Sequence, residues 1–414
     1  MRRYKRTAIS VAAVFMLIVA ITLNNASLYL MASVLFVLPI TSLLLGFWLR
    51  RDLKFRRMVH SPGWSGEVAD FMVELFNGGL MPRPRIELTD RLPAWIEPIQ
   101  KPPLITHLPG RGHTTVTYSV NLLKRGIYPL SGYKVGVSDP LGLFTFTGFV
   151  GAPAEIIVYP TPENLPDLQL SGGDRFGYQD SARVTLHGHG VDPDGVREYR
   201  PGDPLRRIHW KTTARTGNLS VIEFDEMRTA NLCLALDLTP GSDVGEGLET
   251  TLEYLVRVAA SLTKMAVDLG SEVSLITNGP PEWQVMANRG DDQLHRILRV
   301  LAAVQATGDT PLEAILSRYL NITGGELSLF VLTSSANGRT MGFLHSYRKS
   351  GGQVVIIYAD PSDFAPSPAV GKPNSTATDP MIMDAGALVL RLCRAPGKPI
   401  QMEPISNGYA VVKQ

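Results

Sequence analysis

Leu232-Cys233-Leu234-Ala235-Leu236-Asp237-Leu238 decides the reading of the C-terminal half of the chain. Its two alternating sets of positions are both apolar, apart from Asp237, as in a strand covered on both faces. Working outward, Leu248, Leu252, Leu255, Val256, Ala259, Leu262, Met265 and Leu269 recur at helical spacing. Glu272–Ile276 reads as a second strand, and Leu294, Ile297, Leu298 and Leu301 mark another helix. Leu327–Leu332 and Val354–Tyr358 are two more apolar strands, with a helix over Met341–Lys349 between them. Gly and Pro punctuate a loop over residues 361–373, and Ala387–Cys393 adds a final strand. Alternating strands and helices predict a parallel, doubly wound α/β domain over residues 229–414. Such sheets bind ligands beyond the carboxyl ends of their strands, where the strand order reverses. Asp237 stands at that end of the first strand.

Residues 58–160 lack the helical period. Thr115, Thr117, Ser119 and Asn121 alternate with Val116, Tyr118, Val120 and Leu122, the period of a half-buried strand. Val68–Phe76, Arg85–Leu88, Lys134–Ser138 and Glu155–Tyr159 are further short candidates. Asn77-Gly78-Gly79, Pro82-Arg83-Pro84, Pro109-Gly110 and Asp139-Pro140 punctuate them as turns. The expected fold of this region is a small β-sandwich, a scaffold for contacts and spacing rather than chemistry.

Upstream lie two uncharged runs, Thr7–Leu23 and Leu28–Trp48, of 17 and 21 residues. Each is long enough to span a bilayer. Only Asn24, Asn25, Ala26 and Ser27 separate them, so residues 1–57 read as a transmembrane helical hairpin with basic flanks. No small-x-small cleavage site follows the first run, which argues against a signal peptide. Residues 1–57 hold nine Lys/Arg and one acid. The remaining residues hold 31 basic and 37 acidic groups, a net charge of −6. The basic excess therefore flanks the apolar runs, which places both ends in the cytoplasm and the following domains on the cytoplasmic face of the inner membrane. An acidic bulk argues against nucleic acid as the main partner. The two cysteines, Cys233 and Cys393, rule out a disulfide scaffold or a four-thiolate zinc site. Both lie in apolar runs, where a small buried hydrophobe is expected.

Residues 161–228 connect the two soluble regions. They contain Gly195-Val-Arg-Glu-Tyr-Arg-Pro-Gly-Asp-Pro-Leu-Arg-Arg-Ile-His-Trp-Lys-Thr-Thr-Ala-Arg-Thr-Gly217. This segment resembles the signature of the bacterial family called domain of unknown function 58, approximately R-E-Y-x-P-G-D-x-x-R-x-I-H-W-x-x-x-A-R. Arg197, Glu198, Tyr199, Pro201, Gly202, Asp203, Arg206, Ile208, His209, Trp210, Ala214 and Arg215 meet it. The helical hairpin, Lys124-Arg125-Gly126-x-Tyr128 and Asp139-Pro-Leu-Gly-Leu-Phe144 resemble the family's upstream region. The resemblance implies that the α/β domain is von Willebrand factor A-like. It also implies a partner, because members are typically encoded beside MoxR-type AAA+ ATPases.

Mixed charge at this density favours internal ion pairs, and Asp203 is expected to cap a helix over Leu205–Ala214 with Trp210 anchoring it to the α/β domain. On that reading the segment is a buried clasp. The alternative is a docking surface or anion pocket built from Arg206, Arg207, His209 and Lys211.

Von Willebrand factor A domains often hold Mg²⁺ through Asp-x-Ser-x-Ser after the first strand, a hard-oxygen set suited to that ion. Here Asp237 and Thr239 fit, but Gly241 takes the third position and Ser242 falls one residue late. Thr333-Ser334-Ser335 stands where such domains commonly supply an Asp. A second candidate is His187-Gly-His189-Gly-x-Asp192-x-Asp194, whose alternate residues share a face if extended. No phosphate-binding loop and no Gly-x-Ser-x-Gly elbow is present, and no catalytic constellation stands out. The expectation is a membrane-anchored cytoplasmic interaction or adaptor protein working with a MoxR-type AAA+ ATPase in an assembly or cell-envelope process. The alternatives are a metal-dependent enzyme using the Asp237 edge, and an anion or nucleic-acid binder using residues 197–215.

Overall fold

The computed structural model of the chain describes residues 2–49, 51–165, 193–199, 208–224, 231–279, 283–323, 327–335, 337–365, 387–394 and 396–405. The chain divides into two compact units, Met1–Tyr159 and Pro160–Gln414.

The first unit opens with α1 (Arg2–Leu23) and α2 (Ala26–Leu49), packed as a helical pair. Both are long and apolar enough to cross a membrane. Asn24 turns the chain between them at φ 41°, a left-handed conformation that Asn tolerates better than most residues. The Asn25 side chain then accepts the Ser27 amide at 2.9 Å. Phe15, Ile18, Leu30, Leu44 and Trp48 are exposed.

Eight strands follow: β1 (Leu53–Val59), β2 (Gly63–Trp64), β3 (Val68–Asn77), β4 (Arg85–Asp90), β5 (Ile96–Pro98), β6 (His113–Leu122), β7 (Gly126–Ser138) and β8 (Thr145–Tyr159). They form two four-stranded sheets, ordered β1-β3-β6-β5 and β2-β8-β7-β4. All pairings are antiparallel except β2 with β8. The alternation read in residues 115–122 buries Val116, Tyr118, Val120 and Leu122. These join Phe71, Val73 and Leu75 of β3, Ile86 and Leu88 of β4, Tyr133, Val135 and Val137 of β7, and Ile156 and Val158 of β8 in one core. Leu49, the last residue of α2, is buried in that same core, with Leu45 packed against it.

The core also encloses charge. Arg57 and Asp90 form an ion pair with both side chains almost fully buried. The Arg57 Nε donates to the Tyr133 hydroxyl at 2.6 Å, and its guanidinium lies 4.3 Å from the centre of that ring. Tyr118 donates to the other Asp90 oxygen. Burial pushes the Asp90 carboxyl up, against the opposing pull of Tyr118 and Arg57.

The first strands of the second unit, among the described residues, are the hairpin of β9 (Pro193–Glu198) and β10 (Ser220–Phe224), with α3 (Trp210–Thr216) between them. Its main sheet uses β11 (Asn231–Leu236), β14 (Val273–Thr277), β15 (Gln284–Asn288), β16 (Leu327–Thr333), β17 (Gln353–Ala359), β18 (Leu388–Cys393) and β19 (Gln401–Ile405). A small ladder, β12 (Gly245–Glu246) with β13 (Glu249–Thr250), precedes α4 (Thr251–Asp268). The remaining helices are α5 (Asp291–Ala303), α6 (Leu312–Thr323), α7 (Gly338–Lys349) and α8 (Pro361–Phe364). Strand order is β15-β14-β11-β16-β17-β18-β19, with five parallel strands in the centre. The antiparallel strands β15 and β19 close the two edges.

The fully buried residues of β11 explain its unbroken apolar run. Cys233 and Ala235 pack with Ile315, Leu316 and Tyr319 of α6 and Met341 and Leu344 of α7. Leu232, Leu234 and Leu236 alternate with them, and α4 packs on β11 as well. Thr250 caps α4 by accepting the Glu253 amide at 3.3 Å. The chain steps from β11 through α4 to β14 on one side, then returns through α6 to β16 on the other. Strand order therefore reverses between β11 and β16.

Burial fixes the state of the Cys233 thiol, which is pushed up to about 12. Cys393 is half-buried and also raised, chiefly by burial. At pH 8, native Cys233 is expected to alkylate on the order of 10³-fold more slowly than in the urea-unfolded chain, because the thiolate is the reactive form. Iodoacetamide labelling with peptide mass mapping reads this directly. Equal labelling rates at Cys233 in the two states contradict it.

Candidate functional site

The reversal of strand order opens a cleft at the carboxyl edge of the sheet. Its volume is about 330 Å³, and its lining includes Asp237, Thr239, Thr310, Glu313, Ser335 and Arg339. Asp237 follows β11 directly, and only 6% of its surface is exposed. Its Oδ1 accepts the Thr239 amide at 3.1 Å and the Thr239 hydroxyl at 2.6 Å. Its Oδ2 accepts the hydroxyl of Thr333, the last residue of β16, at 2.8 Å. The carboxylate thus ties together the two strands where the order reverses.

Asn278 completes the cluster. It follows β14, the other neighbour of β11, and is fully buried. Its Oδ1 accepts the Leu238 amide at 2.6 Å, while Nδ2 donates to the Thr310 carbonyl at 3.1 Å. These two bonds fix the amide so that Nδ2 also faces Thr239 Oγ1 at 3.2 Å and Asp237 Oδ1 at 3.4 Å. Asn278, Thr310, Glu313 and Arg339 escaped the sequence reading. One signal was available for Asn278: it is the first polar side chain past the Val273–Thr277 strand, the position that Asp237 holds after β11.

These donors decide the Mg²⁺ question. Each Asp237 oxygen accepts hydrogen bonds, and an amide N–H is locked toward the place where Asp237 and Thr239 meet. A hard cation needs converging lone pairs there, not a converging donor. Ser242 is absent from the cleft lining; its carbonyl accepts the Ser334 hydroxyl at 2.6 Å. Its own hydroxyl is buried without a partner among the described residues. Among those residues no group of three or more His, Cys, Asp or Glu is placed to hold a metal. The donor set does not fit Mg²⁺. Chemically the cleft offers hydrogen-bonding hydroxyls and amides beside one exposed cation, Arg339, and the carboxylates of Asp309 and Glu313. No histidine or cysteine lines it among the described residues.

The described parts of the signature segment, residues 195–199 and 208–217, are joined by β10 and backbone hydrogen bonds. Arg197 and Glu198 lie on β9, opposite Val221 and Ser220 of β10. Past β9, the Tyr199 amide donates to the Leu219 carbonyl at 2.8 Å, and the His209 amide donates to Ser220 at 2.8 Å. The expected helix over Leu205–Ala214 is corrected in its described part, where residues 208 and 209 are not helical. The described helix begins at Trp210, and His209 caps it by accepting the Thr212 amide on Nδ1 at 3.3 Å. Gly217 ends it at φ 77°, the left-handed C-terminal position that glycine occupies without a side-chain clash. Trp210 is also corrected. It is 66% exposed instead of anchoring the helix against the α/β domain, whereas Ile208, two residues earlier, is buried. Lys211 and Arg215 are exposed too, without ion pairs among the described residues. Pro201, Gly202, Asp203, Arg206 and Arg207 lie outside the described residues, as do His187, His189 and Asp192.

Residues 195–373 match the family model described as protein of unknown function DUF58. These residues belong to the DUF58 family. The DUF58 stretch therefore takes in the signature hairpin, the Asp237 cluster and the central strands through β17. The uncharacterized protein YeaD of Bacillus subtilis is 28% identical over 254 residues, 60% of this chain and 60% of that protein. The uncharacterized protein Rv1480 of Mycobacterium tuberculosis is 31% identical over 133 residues, 32% of this chain and 40% of that protein. The chain thus spans less than two thirds of either relative. Among solved structures, the cupredoxin domain of amoB from Nitrosocaldus yellowstonii aligns at 12% identity and a TM-score of 0.21. That alignment covers 31% of this chain and 97% of the domain. A CARDB domain from Pyrococcus furiosus aligns at 16% identity and a TM-score of 0.19, over 26% of this chain and 94% of that domain.

Proposed function

We propose that this DUF58 chain is a membrane-anchored interaction protein. In this reading α1 and α2 cross the inner membrane with both ends cytoplasmic, as their basic flanks favour. The paired sheets of the first unit serve as a β-sandwich spacer, and the second unit is a von Willebrand factor A-like binding domain. The partner is a MoxR-type AAA+ ATPase, which supplies the nucleotide chemistry, while this chain performs no catalysis.

The observation that carries the reading is the exposure of Trp210 beside exposed Lys211 and Arg215. Among the described residues, backbone bonds join the strands and helix of the signature hairpin. A large uncovered aromatic flanked by cations has the composition of a protein-binding hot spot.

Affinity capture tests it, using the tagged full-length chain from gently solubilised native membranes, with and without ATP. An AAA+ ATPase should be enriched, and a Trp210→Ala/Arg215→Ala variant should lose it while remaining folded. Asp237→Ala should retain the partner wherever the fold survives. Absence of any ATPase with and without nucleotide overturns the adaptor reading.

A further inference from the structure

The Asp139-Pro-Leu-Gly-Leu-Phe144 stretch joins β7 to β8, and it meets the transmembrane helices. Ser42 of α2 donates to the Asp139 carboxylate, and both residues are buried. At Gly46, one turn on, a Cβ atom would lie 2.1 Å from the Phe146 ring, so the absence of a side chain is what lets β8 approach the helix. Arg6 of α1 stands 5.6 Å from the centre of the Phe144 ring. The tip of the β7–β8 hairpin is therefore level with Arg6 and Ser42.

That level lies at the bilayer boundary. At 1.5 Å per residue, α1 rises about 26 Å from Arg6 to Leu23, and α2 about 24 Å from Ala26 to Ser42. The hydrocarbon core is about 30 Å thick. With the polar Asn24-Asn25 turn at the outer boundary, Ser42 and Arg6 fall at or slightly inside the inner one.

The tip is built for that medium. Three of its four backbone donors between Pro140 and Thr145 are satisfied from within, as an apolar environment favours. The Leu141 and Phe144 amides donate to the Asp139 carboxylate at 3.0 and 2.6 Å. The Gly142 amide donates to the Asp139 carbonyl at 3.0 Å, and Pro140 has no amide hydrogen. Gly142 sits at φ 66°, which lets the chain reverse without a side chain in the way. At the apex Leu141 is 49% exposed. Farther along the hairpin Phe149 is equally uncovered, with Arg91 5.1 Å from its ring centre. Lys5, Arg6, Arg51 and Arg91 are exposed cations on this unit, and anionic headgroups attract such residues.

We infer that the β7–β8 tip is a third membrane contact, with Leu141 entering the headgroup–acyl boundary of the cytoplasmic leaflet and the nearby cations facing anionic phospholipid. The inference rests on the reading of α1 and α2 as spans. Single nitroxide labels test it on the full-length chain in a Cys393→Ser background, in nanodiscs of phosphatidylcholine and phosphatidylglycerol. The labels go at Leu141→Cys, Phe149→Cys, Val11→Cys on the outward face of α1, and Glu97→Cys on the exposed edge of β5. The measurement compares relaxation by oxygen, which concentrates in lipid, with relaxation by a water-soluble nickel chelate.

The oxygen-to-nickel ratio should be highest at position 11, severalfold above position 97 at 141, and intermediate between 141 and 97 at 149. A ratio at 141 equal to that at 97, with a lipid signature at 11, overturns the third contact and leaves the anchor intact. A water signature at 11 overturns the spans and the tip together. Because two hairpin positions are read independently, failure of one labelled variant to fold does not remove the test.

Discussion

Replacing Arg57 with methionine is expected to destabilise the first unit by about 3–5 kcal/mol, the range for removing one partner of a buried ion pair. The Arg57 and Asp90 side chains are 0% and 2% exposed, so solvent does not screen the pair. Without the guanidinium, the Asp90 carboxyl keeps only the Tyr118 hydroxyl as a side-chain partner, and Tyr133 loses its 2.6 Å bond to Arg57. A double change, Arg57→Met with Asp90→Leu, removes both charges and should recover much of the loss, since an apolar pair of similar volume carries no desolvation penalty. Urea titration of the detergent-solubilised full chain, followed by hydrogen exchange in β3 and β6, measures both variants. A single-variant loss below about 1 kcal/mol would place the pair in the range of exposed ion pairs and contradict its burial.

Asp237→Ala is expected to destabilise the second unit by about 2–4 kcal/mol. The carboxylate accepts from Thr239 twice, from Thr333, and at longer range from Asn278. Each buried donor left without an acceptor costs about 1–3 kcal/mol, and hydroxyls that find other acceptors recover part of this. Thr333 has such an acceptor in the Ser335 carbonyl at 3.1 Å. Thr333→Val should therefore cost less than Asp237→Ala, about 1 kcal/mol. Thermal unfolding of the full chain, resolved by hydrogen exchange in β11 and β16, ranks the two. Adding millimolar Mg²⁺ should leave the wild-type transition unchanged. A Mg²⁺-dependent rise that Asp237→Ala abolishes would establish a cation site and refute the hydrogen-bond reading of this edge.

The central strands were legible because burial on both faces leaves an unbroken apolar run, as in Leu232–Leu236 and Leu327–Leu332. The half-buried β6 was legible for the opposite reason, through its strict alternation. What escaped lacked either pattern. In β15, the run Gln284-Val-Met-Ala-Asn288 pairs at a sheet edge with little burial, so no periodic signal marks it. In β19, Pro404 interrupts an edge strand, where the missing amide costs no ladder bond inside the sheet. The helix over Leu312–Thr323 does bury Leu312, Ile315, Leu316 and Tyr319 at helical spacing, but its apolar face is short and begins just after Pro311. At the site, Asp237 and Thr239 were legible from their position after an apolar strand. Asn278 and Thr310 were not, because their roles depend on tertiary neighbours 32 to 41 residues away in sequence.

Burial of Leu49 in the core of the paired sheets has a mechanical consequence. A membrane anchor joined through a loose tether lets its cargo sweep a hemisphere above the bilayer. Here the second helix ends inside the domain it carries, and β1 begins four residues later at Leu53. The first unit therefore cannot swing or change height independently of its helices. With α1 and α2 spanning a bilayer as proposed, its freedom would reduce to drifting and spinning in the plane of the membrane, and anything that pushes on its sheets would also push on those helices.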